Sequence, residues 1–119
     1  ITRYIADLTG DLGIELEVMR NVEPSQISDY TGEMYSAVEK SIRNIYGDIA
    51  VVPCIMCGGT DAAKYENFSP CVYRFSPFAV SPEEYESIHS EDEHVTIESL
   101  GAAAAFYEDI IKSLKEVKE

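Results

Sequence analysis

Two histidines stand among acidic side chains in the last third of the sequence. His89 and His94 flank the run Ser90-Glu91-Asp92-Glu93. Imidazole and carboxylate groups often bind a metal ion together, so this cluster could form part of a metal site. The segment 83–98 holds seven acidic residues and no Lys or Arg. That composition is equally typical of a solvated acidic face, and the residues alone leave both interpretations open.

A glycine-rich turn is the second candidate site. Gly58-Gly59-Thr60-Asp61 follows an apolar segment and precedes a predicted short helix. Glycine lets the backbone approach a ligand closely, and the free N–H groups at a helix start attract anions. The turn would therefore suit a substrate carboxylate or a developing oxyanion. A tight turn capped by Asp61 would explain the same residues without any ligand.

One arginine lies inside an apolar segment. Arg74 interrupts the run Val72-Tyr73-Arg74-Phe75, and a guanidinium that is buried there needs a partner. It could hold a substrate carboxylate through its two-pronged donor geometry. It could equally form an internal salt bridge with one of the many acidic side chains.

The chain contains three cysteines, Cys54, Cys57 and Cys71, and an odd number excludes a complete set of internal disulfides. The first two form a CxxC motif without the second ligand pair of a zinc ribbon. No predicted helix starts within the motif, as a thioredoxin-like redox pair would require. We therefore expect both to be small buried side chains, and reduced thiols favour a cytoplasmic location.

Length and charge narrow the class of protein. The 119 residues fit one domain, and 22 acidic against 9 basic residues give a formal net charge of −13. Such a charge argues against nucleic acid and anionic membrane surfaces as partners. No apolar run reaches the roughly 20 residues of a transmembrane helix. Because the sequence begins with Ile1 rather than Met, we expect a segment upstream of it.

The pattern of apolar residues predicts an α/β fold. From residue 31 onward the order is helix, strand, helix, strand and helix, which is typical of this class. The predicted elements are a helix over 1–9, a strand over 14–22, a linker over 23–29, a helix over 31–46, a strand over 49–52 that is buried on both faces, a short helix over 62–65, a strand over 71–75, a short helix from 82 and a helix over 97–117.

In combination these motifs resemble the C-terminal portion of M20-family metallopeptidases. The resemblance covers residues 14–117 and rests on their order: Gly58-Gly59-Thr60-Asp61, the segment Cys71-Val72-Tyr73-Arg74-Phe75-Ser76-Pro77, the run Ile88-His89-Ser90-Glu91-Asp92-Glu93, and a long closing helix. The Tyr-Arg-Phe-x-Pro variant is most similar to the branch that holds carboxypeptidase S, the Gly-Xaa carboxypeptidases and N-acyl-amino-acid hydrolases.

The resemblance implies a division of the chain. Residues 1–22 would be the last helix and strand of an α+β lid or dimerisation domain, and residues 23–30 the linker that returns to the catalytic domain. Residues 31–119 would be the C-terminal αβαβα part of a zinc-peptidase catalytic domain.

The resemblance also assigns roles to single residues. His89 would be a metal ligand, Gly59, Thr60 and Arg74 would bind substrate, and Asp61, Asp92 and Glu93 would support these groups. His94 matches no position of the family motif, and we expect it to be a surface residue.

The implied function is that of a di-zinc metallohydrolase. It would cleave a peptide or N-acyl-amino-acid amide next to a free carboxylate, with two Zn²⁺ or other divalent ions per active site. The family's other ligands and its catalytic Glu have no counterpart in this chain, so we expect the isolated chain to be inactive. We also expect it to form homo-oligomers through exposed lid and sheet edges. The alternative from another class is a non-enzymatic, acidic α/β interaction module.

Overall fold

Helices are the regular structure of this chain. The computed structural model describes residues 1–19 and 22–116, apart from the side chain of residue 116. The predicted strand over 14–22 therefore lies partly outside the described residues, as does the predicted helix end at Val117. The helices are α1 (Thr2–Thr9), α2 (Glu33–Tyr46), α3 (Pro82–Glu86) and α4 (Ile97–Glu116), with short 3₁₀ helices at Gly10–Leu12 and Asp61–Lys64.

Local sequence signals explain where these helices begin and end. Gly47 ends α2 with a φ of 78°, a backbone conformation that glycine adopts without steric cost. At α3, Pro82 occupies the first turn, while Ser81 and Glu84 cap the helix start reciprocally. For α2 the sequence predicts a side-chain cap from Thr31 or Ser28, and this is wrong, because Gly32 stands at the N-cap without any side-chain hydrogen bond.

The predicted α/β fold, with its αβαβα order, is wrong. No residue in the ranges 1–19 and 22–116 belongs to a β-strand. A strand persists only when a neighbouring backbone completes its hydrogen bonds, and the segments 14–18, 49–52 and 71–75 have no such neighbour here. The segment 49–52, which we expected to be buried on both faces, is instead largely exposed, with Val52 at 73%.

Packing between helices is confined to α2 against α4 within the described part of the chain. The buried apolar side chains of these two helices are Ile42 of α2 and Ala103 and Phe106 of α4. The apolar stripe that the helical period predicts on α2 contains the buried Ile42 at its centre. That stripe consists of Tyr35, Val38, Ile42, Ile45 and Tyr46. The buried face of α4 is rotated from the stripe that the helical period predicts, because Phe106 is buried whereas Leu100 is 55% exposed. That predicted stripe consists of Leu100, Ala103, Ala104, Tyr107, Ile110, Ile111 and Leu114.

The chain is open and presents much apolar surface. Its radius of gyration is 19.5 Å, against about 13.5 Å expected for a compact chain of this length. Its accessible surface of 10,295 Å² exceeds the roughly 6,400 Å² expected for a compact protein of this mass. No helix among the described residues has the length and apolar character needed to cross a bilayer.

Candidate substrate-binding cavity

Side chains of the predicted linker join it to the segment that carries Arg74. The Ser28 hydroxyl donates to the carbonyl oxygen of Val72 at 3.0 Å and accepts from its N–H at 2.9 Å. The Tyr73 hydroxyl donates to the carbonyl oxygen of Asp29 at 2.6 Å. Since one hydroxyl satisfies both backbone groups of Val72, this contact replaces the strand pairing that the sequence predicts there.

These contacts form part of the wall of a cavity of about 870 Å³. The cavity lies between the linker, one face of α2, the segment 49–60 and the segment 72–79, and its lining is mainly apolar. Within it the Tyr35 hydroxyl is buried and has no hydrogen-bond partner among the described residues. Arg74 is the only Lys or Arg of the lining, all of which lies in the described part of the chain.

Arg74 connects three separate parts of the chain. Its Nη2 donates to Ser25 Oγ at 2.9 Å and to Glu66 Oε1 at 3.0 Å, and its Nε donates to Thr60 Oγ1 at 3.3 Å. The side chains of Arg74 and Glu66 are 20% and 25% exposed. The internal salt bridge, one of the two alternatives for Arg74, is therefore present.

The glycine-rich turn lies beside Arg74 and is closed by Thr60. The Thr60 hydroxyl accepts from the Ala62 N–H at 3.2 Å and so caps the short helix Asp61–Lys64. Asp61, expected to fix this turn, instead pairs with Lys64 at 2.6 Å on the surface. A methyl group placed on Gly59 would meet no atom within 4 Å, so the space next to this backbone is open to a ligand.

His89 lies on an exposed turn with an unusual backbone conformation. Its φ is 68°, a left-handed value that non-glycine residues seldom adopt. The carboxylate of Glu93 accepts from the His89 backbone N–H at 2.9 Å. Glu93 therefore contacts the backbone of His89, whereas Asp92 contributes its backbone carbonyl to His94 Nδ1 at 2.6 Å.

The described residues do not assemble a metal site by themselves. They contain no group of three or more His, Cys, Asp or Glu side chains placed to hold an ion. A catalytic zinc needs about three protein ligands and an open position, and His89 is one imidazole on an exposed turn. The donors present here therefore do not fit a catalytic zinc.

The structure brings some of the predicted site residues together and leaves others apart. Gly59, Thr60 and Arg74 all line the cavity. The His89 turn, with Asp92 and Glu93, is absent from its lining. In the described part of the chain, the residues predicted to bind substrate therefore line the cavity, and the residues predicted to bind or support a metal lie outside it.

The cysteines differ from expectation. Cys54 and Cys57 are exposed free thiols on the segment that leads to the glycine-rich turn, and Cys71 is half-buried and free. The prediction of two small buried side chains is wrong, because the segment 49–57 packs under no other element that would cover it. The CxxC motif remains without a metal-ligating neighbour among the described residues.

Sequence reasoning missed the residues that hold Arg74 and its segment. Glu66 precedes Arg74 by eight positions, and Ser25 and Ser28 lie in the stretch interpreted as a linker. A signal existed for Glu66, because an arginine in an apolar segment predicts a nearby carboxylate. The two serines gave no such signal, since their partners are more than 40 positions away.

Comparison with known proteins points to one family. A sequence model of peptidase family M20/M25/M40 matches residues 8–113. The chain is similar to mouse (Mus musculus) N-fatty-acyl-amino acid synthase/hydrolase PM20D1, at 26% identity over 100% of this chain and 24% of that protein. It is also similar to probable carboxypeptidase S-like 2 of Dictyostelium discoideum, at 25% identity over 98% and 22%.

A third relative comes from yeast. Carboxypeptidase S of Saccharomyces cerevisiae is 24% identical over 87% of this chain and 19% of that protein. The chain thus spans about a fifth to a quarter of the length of these relatives. No solved structure gives a significant match.

Tyr73 titrates unusually because of its place at the cavity wall. Desolvation is the largest cause that raises its pKa from 10.0 to about 12, and the neighbouring Cys71 adds to the effect. The Tyr73 ring also packs edge-on against Tyr35, with the ring centroids 5.8 Å apart. In the opposite direction, hydrogen bonds from Thr31 lower the pKa of the Asp29 carboxyl.

We expect the stability of the cavity wall to fall between pH 10 and 12. Because the pKa of Tyr73 is higher in the folded chain, its contribution is fully present below pH 10 and is lost as pH rises toward 12. We record the tyrosinate absorbance of the wild type and of Tyr73→Phe as the pH rises. The difference between the two curves should show one tyrosine that ionises with a pKa of about 12. The exposed Tyr85 provides the matched control as Tyr85→Phe. Ionisation of Tyr73 complete by pH 10 would contradict the assignment.

Proposed function

This chain belongs to peptidase family M20/M25/M40, and we propose that it is part of a hydrolase that cleaves an amide next to a free carboxylate. The substrate class is a peptide or an N-acyl-amino acid. One observation carries the proposal: Arg74 and Thr60 meet at 3.3 Å on the wall of an apolar cavity. Such a wall offers a cation for the carboxylate and a dry space for an acyl group.

The carboxylate would bind at the guanidinium of Arg74. Arginine offers five N–H donors, and the contacts to Ser25, Thr60 and Glu66 involve its Nε and Nη2. Its Nη1 makes no hydrogen bond within the described part of the chain and is available to an acceptor. The hydroxyl of Tyr35, buried in the same cavity without a partner, is a second group that could meet a polar atom of the ligand.

The acyl part would occupy the apolar remainder of the cavity. A volume of about 870 Å³ lies within the range of roughly 300–1,000 Å³ that is typical of small-molecule sites. The name N-fatty-acyl-amino acid synthase/hydrolase, printed for one relative, leads us to propose an N-acyl-amino acid with an apolar chain. The names of the carboxypeptidase relatives support a peptide with a free C-terminus.

We assign metal chemistry to the longer protein rather than to this chain alone. Two Zn²⁺ ions, or other divalent ions, would be the cofactors, with His89 as one ligand and Asp92 and Glu93 supporting its turn. Metal ions would supply Lewis-acid activation of water or carbonyl. Because the described residues do not fit a complete site, no catalytic step is assigned to this chain.

We also propose a division of the chain into domains and a cellular location. The helix α1 contacts no other α-helix among the described residues, which supports assigning residues 1–22 to a lid, 23–30 to a linker and 31–119 to the catalytic domain. Exposed free thiols at Cys54 and Cys57 support a reducing compartment such as the cytoplasm.

Replacing Arg74 should remove the preference for a carboxylate. We expect Arg74→Lys to weaken binding of N-octanoylglycine about tenfold, because a point charge replaces a planar fork, and to leave N-octanoylglycinamide unaffected. Isothermal titration calorimetry measures both ligands. Arg43→Lys, at an arginine outside the cavity, is the matched control. Equal weakening of acid and amide would contradict the role of Arg74.

The chain by itself should be inactive and poor in metal. We expect no hydrolysis of N-octanoylglycine above the uncatalysed rate, since one histidine cannot supply the three ligands of a catalytic zinc. Metal analysis by inductively coupled plasma mass spectrometry after zinc exposure and gel filtration should find far less than one ion per chain. Stoichiometric zinc together with turnover would overturn the assignment.

We also propose that the chain self-associates through its exposed segment 49–57. A second copy is the occupant we favour, because this segment exposes the apolar side chains of Val52 at 73% and Ile55 at 80%, and the accessible surface of the chain exceeds that of a compact protein of its mass. The net charge of −13 opposes association, so added salt should promote it. Light scattering should show a mass that rises with protein and salt concentration. Val52→Asp should reduce it more than Val52→Thr, and a monomer under all conditions would contradict the proposal.

A further inference from the structure

Glu66 is the only acidic side chain within hydrogen-bond distance of Arg74 in the described part of the chain. Its Oε1 lies 3.0 Å from Arg74 Nη2, and both side chains are mostly shielded from solvent, at 20% and 25% exposure. A charge-assisted contact in such a setting is stronger than an exposed ion pair. The same nitrogen also donates to Ser25 Oγ, so Nη2 is held between two acceptors.

The position of Glu66 relative to the cavity shows whether its carboxylate could compete with a ligand for Arg74 or support Arg74 while a ligand is bound. Ser25, Thr60 and Arg74 line the cavity, whereas Glu66 does not. A carboxylate that competed with the ligand would have to occupy the ligand's space. Glu66 instead contacts the guanidinium from outside that space, so it can hold Arg74 while a ligand is bound.

The contact leaves part of the guanidinium free. Glu66 uses one oxygen and one nitrogen, which is not the bidentate arrangement that would saturate an arginine. Holding Nη2 and Nε fixes the plane of the guanidinium, and with it the direction of the unpartnered Nη1. Without such contacts a long arginine side chain loses much rotamer freedom when it binds a ligand, and that loss weakens affinity.

We propose that Glu66 is a positioning residue that sets how well Arg74 recognises a carboxylate ligand. The inference rests on the proposed function, because it assumes that Arg74 binds the substrate carboxylate. Glu66 acts on two properties of Arg74 that can be separated. Its oxygen orients the guanidinium, and its negative charge offsets part of the positive charge that attracts the ligand.

Two substitutions separate these properties. Glu66→Gln keeps an oxygen acceptor but removes the charge, whereas Glu66→Ala removes both. We measure affinity for N-octanoylglycine and for N-octanoylglycinamide by calorimetry and take their ratio as carboxylate selectivity. We expect Glu66→Ala to lower this ratio about fivefold to tenfold and Glu66→Gln to keep it at or above the wild-type value.

A second pair of carboxylate and guanidinium gives a matched control. Glu39 accepts from Arg43 at the same 3.0 Å, and this half-buried pair on α2 does not line the cavity. Glu39→Ala therefore removes a similar contact without touching Arg74. We expect it to leave the selectivity ratio unchanged, which separates positioning from a general loss of stability.

The ligand-free protein supplies an independent readout. The ¹⁵N–¹H signal of Arg74 Nε reports how well the guanidinium is ordered, and we expect it to exchange faster with solvent in Glu66→Ala than in the wild type or in Glu66→Gln. An unchanged Nε signal in Glu66→Ala would overturn the proposal, as would an unchanged selectivity ratio. A parallel fall in acid and amide affinity would also overturn it, because that is the signature of a merely structural residue.

A wrong assignment of the cavity would give a different result from a wrong role for Glu66. If the wild type binds acid and amide equally, Arg74 does not recognise a carboxylate and the assignment of the cavity is wrong. The Nε signal would then still decide whether Glu66 orders the guanidinium, since that measurement needs no ligand.

Discussion

One hydroxyl group carries the connection on which the cavity depends. Ser28 Oγ donates to the carbonyl of Val72 and accepts from its N–H, and so satisfies two backbone groups that would otherwise need a neighbouring strand. Arg74 follows two residues later in the same segment, where its guanidinium donates hydrogen bonds to Thr60 and Glu66. Because buried backbone groups must find partners, a side chain has taken the place of a sheet in building this wall.

The charge distribution gives the cavity its chemical character. A chain with a net charge of −13 repels anions in general, yet its cavity is lined by one guanidinium and mainly apolar side chains. Electrostatic attraction is stronger next to apolar surface than in bulk water, so Arg74 can attract an anion although Glu23 also lines the cavity. In the proposed role, the negative charge of Glu66 lowers that attraction from outside the cavity, and its hydrogen bond to Nη2 fixes the orientation of the guanidinium.

The residues assigned to metal binding form a separate part of the molecule. The backbone of His89 adopts a left-handed conformation, and its N–H donates to the Glu93 carboxylate. This hydrogen bond stabilises the turn, although the imidazole is exposed on the surface. The curated relatives are four to five times longer than this chain. A family site that draws its ligands from a longer chain is consistent with a single histidine turn here that lies apart from the cavity.

Sequence alone determined the features that depend on near neighbours in the chain. The helices α2 and α4 were predicted because their apolar residues recur at the helical period, and the end of α2 followed from Gly47. The order of the glycine-rich turn, the Tyr-Arg-Phe segment and the His89 motif identified the family, and the family model confirms it. These signals lie within a few positions of the residues they describe, so no knowledge of packing was needed.

Tertiary structure decided everything that needs a distant partner. The strands predicted over 49–52 and 71–75 lack a neighbouring backbone, and Val72 is paired instead with a serine 44 positions away. On α4 the buried aromatic side chain is Phe106, whose ring centroid lies 5.1 Å from that of Phe75 in a distant segment, whereas Leu100 of the predicted stripe is exposed. Arg74 had two open interpretations until Glu66 and Thr60 were found beside it. Alternation and periodicity describe what a segment can bury, but only the arrangement of the whole chain decides what is present to cover it.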